Sequence, residues 1–165
     1  MSGMATNVVR PAVPEEANEL AALGLASWDR GIGPLVPPTV RAEWLATNPF
    51  LPFLQEQGSD VLVALSDGTP IGIGAWEKAA GYITDLWVAS AHEGRGGGSM
   101  LLAAMESAIA AAGFPEATLE VHTSNDRARR LYLHRGYRVL WQGEKLDRLT
   151  NVVLAKTRMA KTLAR

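Results

Sequence analysis

Apolar positions along this chain follow two rhythms, one of three and four residues and one of two. Asn7-Val8-Val9-Arg10 is a short extended run that Pro11 closes. Pro14-Glu15-Glu16 then opens a helix, since proline suits a first turn and acids suit its dipole. Leu20, Leu23 and Trp28 follow on one face of it at helical spacing. Gly31, Gly33, Pro34, Pro37 and Pro38 predict a loop over 29–38. A second helix is predicted over 40–46. Pro49 and Pro52 interrupt the segment after it, yet Phe50, Leu51, Phe53 and Leu54 make it unusually apolar. It is expected to be a connection, either tucked onto the core or closing over a pocket as a lid.

The period then changes to two. Apolar runs at 61–65 and 71–76 flank Ser66-Asp67-Gly68-Thr69-Pro70. Asp-Gly between two such runs predicts a hairpin. A further strand is expected at 82–89, so three consecutive antiparallel strands form the middle of the chain. That pattern excludes a doubly wound parallel sheet and predicts a mixed, mostly antiparallel α/β sheet with helices on both faces. Leu101, Leu102, Met105, Ala108, Ile109 and Ala112 recur at spacings of three and four, giving a helix over 99–112 that Gly113 and Pro115 stop. Thr118-Leu119-Glu120-Val121-His122 alternates, with Leu119 and Val121 on one side and Glu120 on the other. A short helix leads to Arg135-Gly136-Tyr137. Strands are expected at 137–142 and 151–156, with 157–165 as a frayed tail. No repeat or linker divides the chain, so residues 1–165 are expected to form one domain.

Composition narrows the function classes. The 165 residues are 47% hydrophobic and 20% charged, with a net charge of −1, values that fit a globular protein with a substantial core. The charge gives no reason to expect nucleic acid or an anionic membrane as partner. With no cysteine, thiol nucleophiles and thiolate metal sites are excluded. His92, His122 and His134 have no metal-ligand spacing, so no metal is expected. No apolar run has signal-peptide or membrane-spanning form, which leaves a cytoplasmic location as the expectation.

The densest chemistry lies between Ile83 and Tyr137. A strand, Ile83-Thr84-Asp85-Leu86-Trp87-Val88, feeds Glu93-Gly94-Arg95-Gly96-Gly97-Gly98-Ser99, which opens a helix. Glycine-rich N–H groups at a helix N-terminus bind phosphate. This turn is not a P-loop, because no Gly-Lys-Ser/Thr follows, and it fits the dinucleotide fingerprint poorly, because four residues intervene after the strand. The whole stretch resembles the core of the GCN5-related N-acetyltransferase (GNAT) family. Leu86-Trp87-Val88 is similar to its Leu-x-Val strand and Gly94 to Ser99 to its pyrophosphate loop. Leu119-Glu120-Val121, Asn125 and Leu131-Tyr132 are similar to its later half, and Arg135-Gly136-Tyr137 to its turn into the next strand. Glu93 and Ser90 depart from the family's preferences at their positions.

The resemblance implies a fold and a reaction. The fold is the mixed sheet above, and the reaction is acetyl transfer from acetyl-CoA to a primary amine of a small molecule or peptide. A non-catalytic acyl-CoA-binding module and a nucleotide-binding protein are the alternatives, and a homodimer stays open. The family holds the pantetheine arm along Leu86, Trp87 and Val88, with an oxyanion donor near Val88 N–H. Pyrophosphate would lie on Gly94, Arg95, Gly96, Gly97, Gly98 and Ser99, and Asn125 would meet the pantetheine or a water. Tyr132 is the candidate acid, with an ordinary phenol pKa of about 10. Asp85 and Glu120 are the candidate bases. Glu120 is expected to take the proton, and Asp85 to attract and orient the ammonium. Trp28, Trp44 and Trp76 are expected in the core or on an acceptor pocket.

Overall fold

In the computed structural model, which describes residues 6–92, 94 and 96–164, seven strands form one sheet in the order β1-β2-β3-β4-β5-β7-β6. The strands are β1 (Asn7–Pro11), β2 (Leu62–Ser66), β3 (Thr69–Glu77), β4 (Tyr82–Val88), β5 (Glu116–His122), β6 (Arg138–Asp147) and β7 (Val152–Thr162). Only β4 and β5 pair in parallel. Helices α1 (Ala17–Gly31), α2 (Pro38–Thr47) and α3 (Phe50–Gln57) fill out the first third of the chain. Helix α4 (Gly97–Ala111) follows β4, and α5 (Asp126–His134) follows β5.

Two apolar cores lie on opposite faces of the sheet. The first joins Leu20, Trp28, Trp44, Phe50 and Leu54 of α1 to α3 with Val63, Leu65 and Ile73 of the sheet. The second joins Leu101, Leu102, Met105 and Ile109 of α4 with Ile71, Ile83, Leu119, Val121 and Met159. Ile71 and Ile73 would share one face of a regular strand, but they fall in different cores because Ile71 is an extra residue in β3, where Ala64 pairs with Gly72 and Leu65 with Pro70. The Asp67-Gly68 turn forms as expected. Both residues have positive φ, +49° and +80°, which suits the right-handed twist of the hairpin.

Three expectations need correction. The loop at 29–38 is shorter than its glycines and prolines suggest, because α1 runs on to Gly31 and the Ile32 N–H still bonds to the Trp28 carbonyl, at 2.7 Å. The apolar segment after Pro49 is a helix, not a connection. Pro49 stands at its N-cap and Pro52 in its first turn, where a missing N–H costs nothing, and Asn48 Oδ1 accepts the Phe50 N–H at 3.2 Å. The supposed tail is the inner half of β7, inserted between β5 and β6. Thr157, Met159 and Ala160 are fully buried there. Met159→Ala is expected to cost about 2–5 kcal/mol through the cavity it leaves. Urea unfolding checks this, and a loss below about 0.5 kcal/mol would be the behaviour of a frayed end.

Candidate active site

The site begins with one extra residue. Ala75 pairs with Asp85, but Trp76 pairs with Ile83, so Thr84 is a bulge in β4. A bulge bends its strand and re-aims the side chains beyond it. Ile83 therefore packs on the α4 core, whereas Trp87 packs on the α1–α3 core. The parallel pairing of β4 with β5 stops at the same place, after Tyr82–Thr118 and Ile83–Leu119. Beyond it the strands part, and a cleft of about 1710 Å³ opens between them.

The parted edge of β4 carries unused backbone groups. Ala89 N–H bonds to Ile71 carbonyl at 2.8 Å. Ladder bonds in an antiparallel pair alternate, so Val88 and Leu86, opposite Gly72 and Gly74, turn their N–H and C=O groups away from β3 and toward the cleft. The Val88 carbonyl accepts from Arg30 at 3.2 Å, while Trp87 faces back to β3. An extended ligand laid along this edge would meet Leu86 and Val88 as a further strand would.

Helix α4 opens at the end of the same cleft. Its N-cap, Gly96, has φ +86°, and Gly94 has φ +79°, conformations that glycine adopts without strain. Met100 N–H takes the Gly96 carbonyl at 2.9 Å. The N–H groups of Gly96, Gly97, Gly98 and Ser99 precede the first intrahelical bond, and no side chain caps them. They stand together at the glycine-rich helix start that the sequence singled out, without an intrahelical partner. A Cβ at Gly98 would stand 3.2 Å from Leu131, and one at Gly97 3.1 Å from Ile71, so the helix end lies tight against its neighbours. Arg95 and Glu93 lie outside the described residues.

Asp85, Leu86, Trp87, Val88, Gly94, Gly96, Gly97, Gly98, Ser99, Glu120, Asn125 and Tyr132 all line this one cleft. Their circumstances differ from expectation in three places. The Glu120 carboxylate is held by Lys145 Nζ at 2.8 Å, and its side chain is only 9% exposed. It is therefore not the unencumbered base that the alternation of β5 suggested. Asp85 accepts only neutral hydrogen bonds. Trp87 Nε1–H donates to it at 3.0 Å, and burial raises its carboxyl above the usual range despite that bond and one from Thr84. Tyr132 is buried with its ring edge-on to Tyr137, centroids 5.7 Å apart. Burial, reinforced by Tyr82, pushes its phenol well above 10. That group keeps its proton throughout the neutral range and is a weaker acid than an ordinary tyrosine.

Asn125 caps α5, its Oδ1 accepting the Ala128 N–H at 3.1 Å, which leaves its amide N–H groups to the cleft. Trp28 and Trp44 stack at 4.3 Å, Phe50 meets Trp44 edge-on at 6.1 Å, and Trp87 meets Phe50 edge-on at 5.4 Å. This aromatic file belongs to the core and also forms one wall of the cleft. Trp76 lines the cleft as well.

Two further residues that line the cleft were not singled out by the sequence. Tyr82 stands at the point where β4 and β5 diverge, and its phenol is pushed up to about 12 by burial and by the Glu120 carboxylate. Arg158 pairs with Glu120 across β5 and β7, in the segment expected to be frayed. Only the register between distant strands reveals either one. Among the described residues no cluster of three His, Cys, Asp or Glu is placed to hold a metal. None of the helices there is long and apolar enough to cross a membrane.

The model of the Acetyltransferase (GNAT) family matches residues 26–137. A GCN5-related N-acetyltransferase structure from Rhodopseudomonas palustris superposes with a TM-score of 0.77 at 26% identity, covering 99% of both chains. The PaiA N-acetyltransferase of Thermoplasma acidophilum, solved with coenzyme A, gives 0.72 at 18% identity over 95% of this chain and 99% of that one. YncA of Salmonella typhimurium, solved with its cofactor acetyl-CoA, gives 0.70 at 19% over 97% and 95%. The match over residues 26–137, with the parted strands and the glycine-opened helix inside it, shows that the chain belongs to the GNAT acetyltransferase family.

Proposed function

We propose that this protein transfers an acetyl group from acetyl-CoA to a primary amine of a small molecule or peptide. One observation carries the proposal. The uncapped N–H groups of Gly96 to Ser99, the open edge of Leu86 and Val88, and the desolvated Asp85 carboxylate meet in a single cleft. When bound, acetyl-CoA supplies an activated thioester. The Gly96–Ser99 cradle suits its pyrophosphate, and the edge of β4 suits its amide-bearing arm. Asn125 offers its side-chain amide beside that arm.

The chemistry assigns each side chain a place. An alkylammonium of pKa about 10 is mostly protonated at neutral pH and cannot attack. Asp85 attracts it and accepts one proton, directly or through a water, freeing the nitrogen lone pair. The nitrogen then bonds to the acetyl carbon while the carbon–sulfur bond breaks. Val88 N–H, turned into the cleft, faces the charge that gathers on the carbonyl oxygen. Sulfur leaves with the bonding pair and takes the Tyr132 proton, and the second proton shed by the acetylated nitrogen returns to the phenolate directly or through a water. The base is placed on Asp85 and not on Glu120, because Lys145 Nζ already holds Glu120 at 2.8 Å, whereas the described donors to Asp85 are neutral.

Two measurements test the reading. An amine screen that detects free CoA thiol tests turnover. A cleft that binds acetyl-CoA but releases no thiol with any amine would be a binding module. Thermal unfolding tests the cradle. Ligand at a hundredfold excess over Kd is expected to stabilise the fold by about 2.7 kcal/mol. Gly96→Val is expected to lose most of that increment, because valine at φ +86° is strained and rearranges the N–H groups. The increment is compared within each variant, since the substitution itself destabilises. A full increment in Gly96→Val, or an equal one from ATP, argues against the cradle.

A further inference from the structure

The cleft has two chemically different walls beyond the acyl-transfer machinery. One is the aromatic file ending in Trp87, with Phe53 also lining the cleft. The other is built by β5, β7 and the end of β6. Its carboxylates are already taken, Glu120 by Lys145 at 2.8 Å and Asp147 by Lys156 at 2.9 Å. Arg158 is different. It is exposed, lines the cleft and stands directly across from Glu120 in the β5–β7 register. No carboxylate among the described residues lies within ion-pair distance of it. Arg148, at the β6–β7 turn, lines the same wall and is likewise without an ion pair among the described residues. Two ion pairs plus two further guanidinium groups leave this wall net positive.

A positive wall has consequences for an amine substrate. A polycation would gain at Asp85 and lose at Arg158. An amine that carries its own anion gains at both. Arg158 lies two strand positions from Asp85, at least about 10 Å between backbones. The long arginine stem closes much of that gap, leaving room for a short amine-to-anion spacer.

We infer that the acceptor is an amphipathic amino acid or a close analogue. Its amine would meet Asp85, its aromatic or branched aliphatic body the Trp87–Phe53 wall, and its carboxylate Arg158. The inference rests on the acetyl-transfer reading and narrows its acceptor. Arginine is suited to the role because its planar fork takes a carboxylate through two hydrogen bonds.

The test uses matched pairs. Tryptophan is compared with tryptamine, and phenylalanine with phenethylamine, with spermidine as the polycation. Thiol release from acetyl-CoA is followed throughout. The amino acid of each pair is expected to have the higher kcat/KM, by roughly tenfold to a hundredfold, as befits a charged hydrogen-bonded pair. Arg158→Gln is expected to bring that ratio close to one, chiefly by raising KM for the amino acid, and Arg158→Lys to restore it in part. Tryptamine or spermidine as the better substrate overturns the inference while leaving acetyl transfer intact. So does a ratio that Arg158→Gln leaves unchanged. Stabilisation by acetyl-CoA with no thiol release from any amine overturns the transferase reading and the inference together.

Discussion

Replacing Asp85 with Asn is expected to lower kcat about 10²- to 10³-fold, within the range for loss of a general base. The substitution is nearly isosteric, and the asparagine oxygen can still accept the Trp87 indole N–H, so the wall behind it stays in place. The pH profile gives an independent check. Burial raises the Asp85 carboxyl above the usual carboxylate range, so the acidic limb of kcat/KM should lie above that of an ordinary aspartate and vanish in the variant. Stability should move the opposite way. A folded-state pKa above the unfolded value favours folding fully only below the unfolded pKa, and that advantage is lost as pH rises through the folded value. At neutral pH the native protein therefore carries a desolvated charge that the Asp85→Asn variant lacks. The variant should melt higher than the parent at pH 7, and the difference should shrink on acidification. A variant that keeps parental activity and gains no stability would assign Asp85 an ordinary structural place. Near-normal kcat with a raised acceptor KM would reduce it to an attraction felt equally in ground and transition states.

Tyr132→Phe should lower kcat roughly 10²-fold. The phenol lines the cleft and makes no hydrogen bond with another described residue, so removing its oxygen strands no partner. The ring keeps its edge-on contact with Tyr137, whose own O–H is committed to Glu106 at 2.9 Å. Melting temperature and the stabilisation by acetyl-CoA should be nearly unchanged, isolating the effect in turnover. Because burial raises the phenol pKa, the proton remains available at alkaline pH, and the parent should show no Tyr132-dependent fall in rate below about pH 10. Parental turnover in the Phe variant would leave Tyr132 as a packing residue.

The elements that were legible in the sequence are those whose signal is local. Asp67-Gly68 announces its hairpin because two successive residues must take positive φ. Helix α4 announces itself through six apolar residues on one face. Helix α3 was hidden because prolines read as breakers unless the helix start is known to lie beneath them. The inner half of β7 was hidden because Arg158 and Lys161 interrupt the apolar run. Thr157 and Met159 are buried by β5 and β6 on either side, not by their own hydrophobicity.

The cleft itself follows the same division. Its glycine-opened helix and its β4 edge were legible as structure because each is contiguous. The ranking of its carboxylates was not, because Lys145 reaches Glu120 from 25 positions later in the chain. The desolvation of Asp85 depends on a bulge that alternation alone conceals.

That bulge makes position 84 a matter of counting. The Thr84 side chain is exposed, and its hydroxyl lies 3.3 Å from the Ala75 carbonyl. Many residues could stand there at little cost. The presence of a residue is another matter, because the extra residue bends β4 where it parts from β5. Substitution at this position should be nearly silent in a lineage, whereas a single-codon deletion would keep Ala75 opposite Asp85 and Trp76 opposite Ile83 and straighten the strand at the point where the cleft opens.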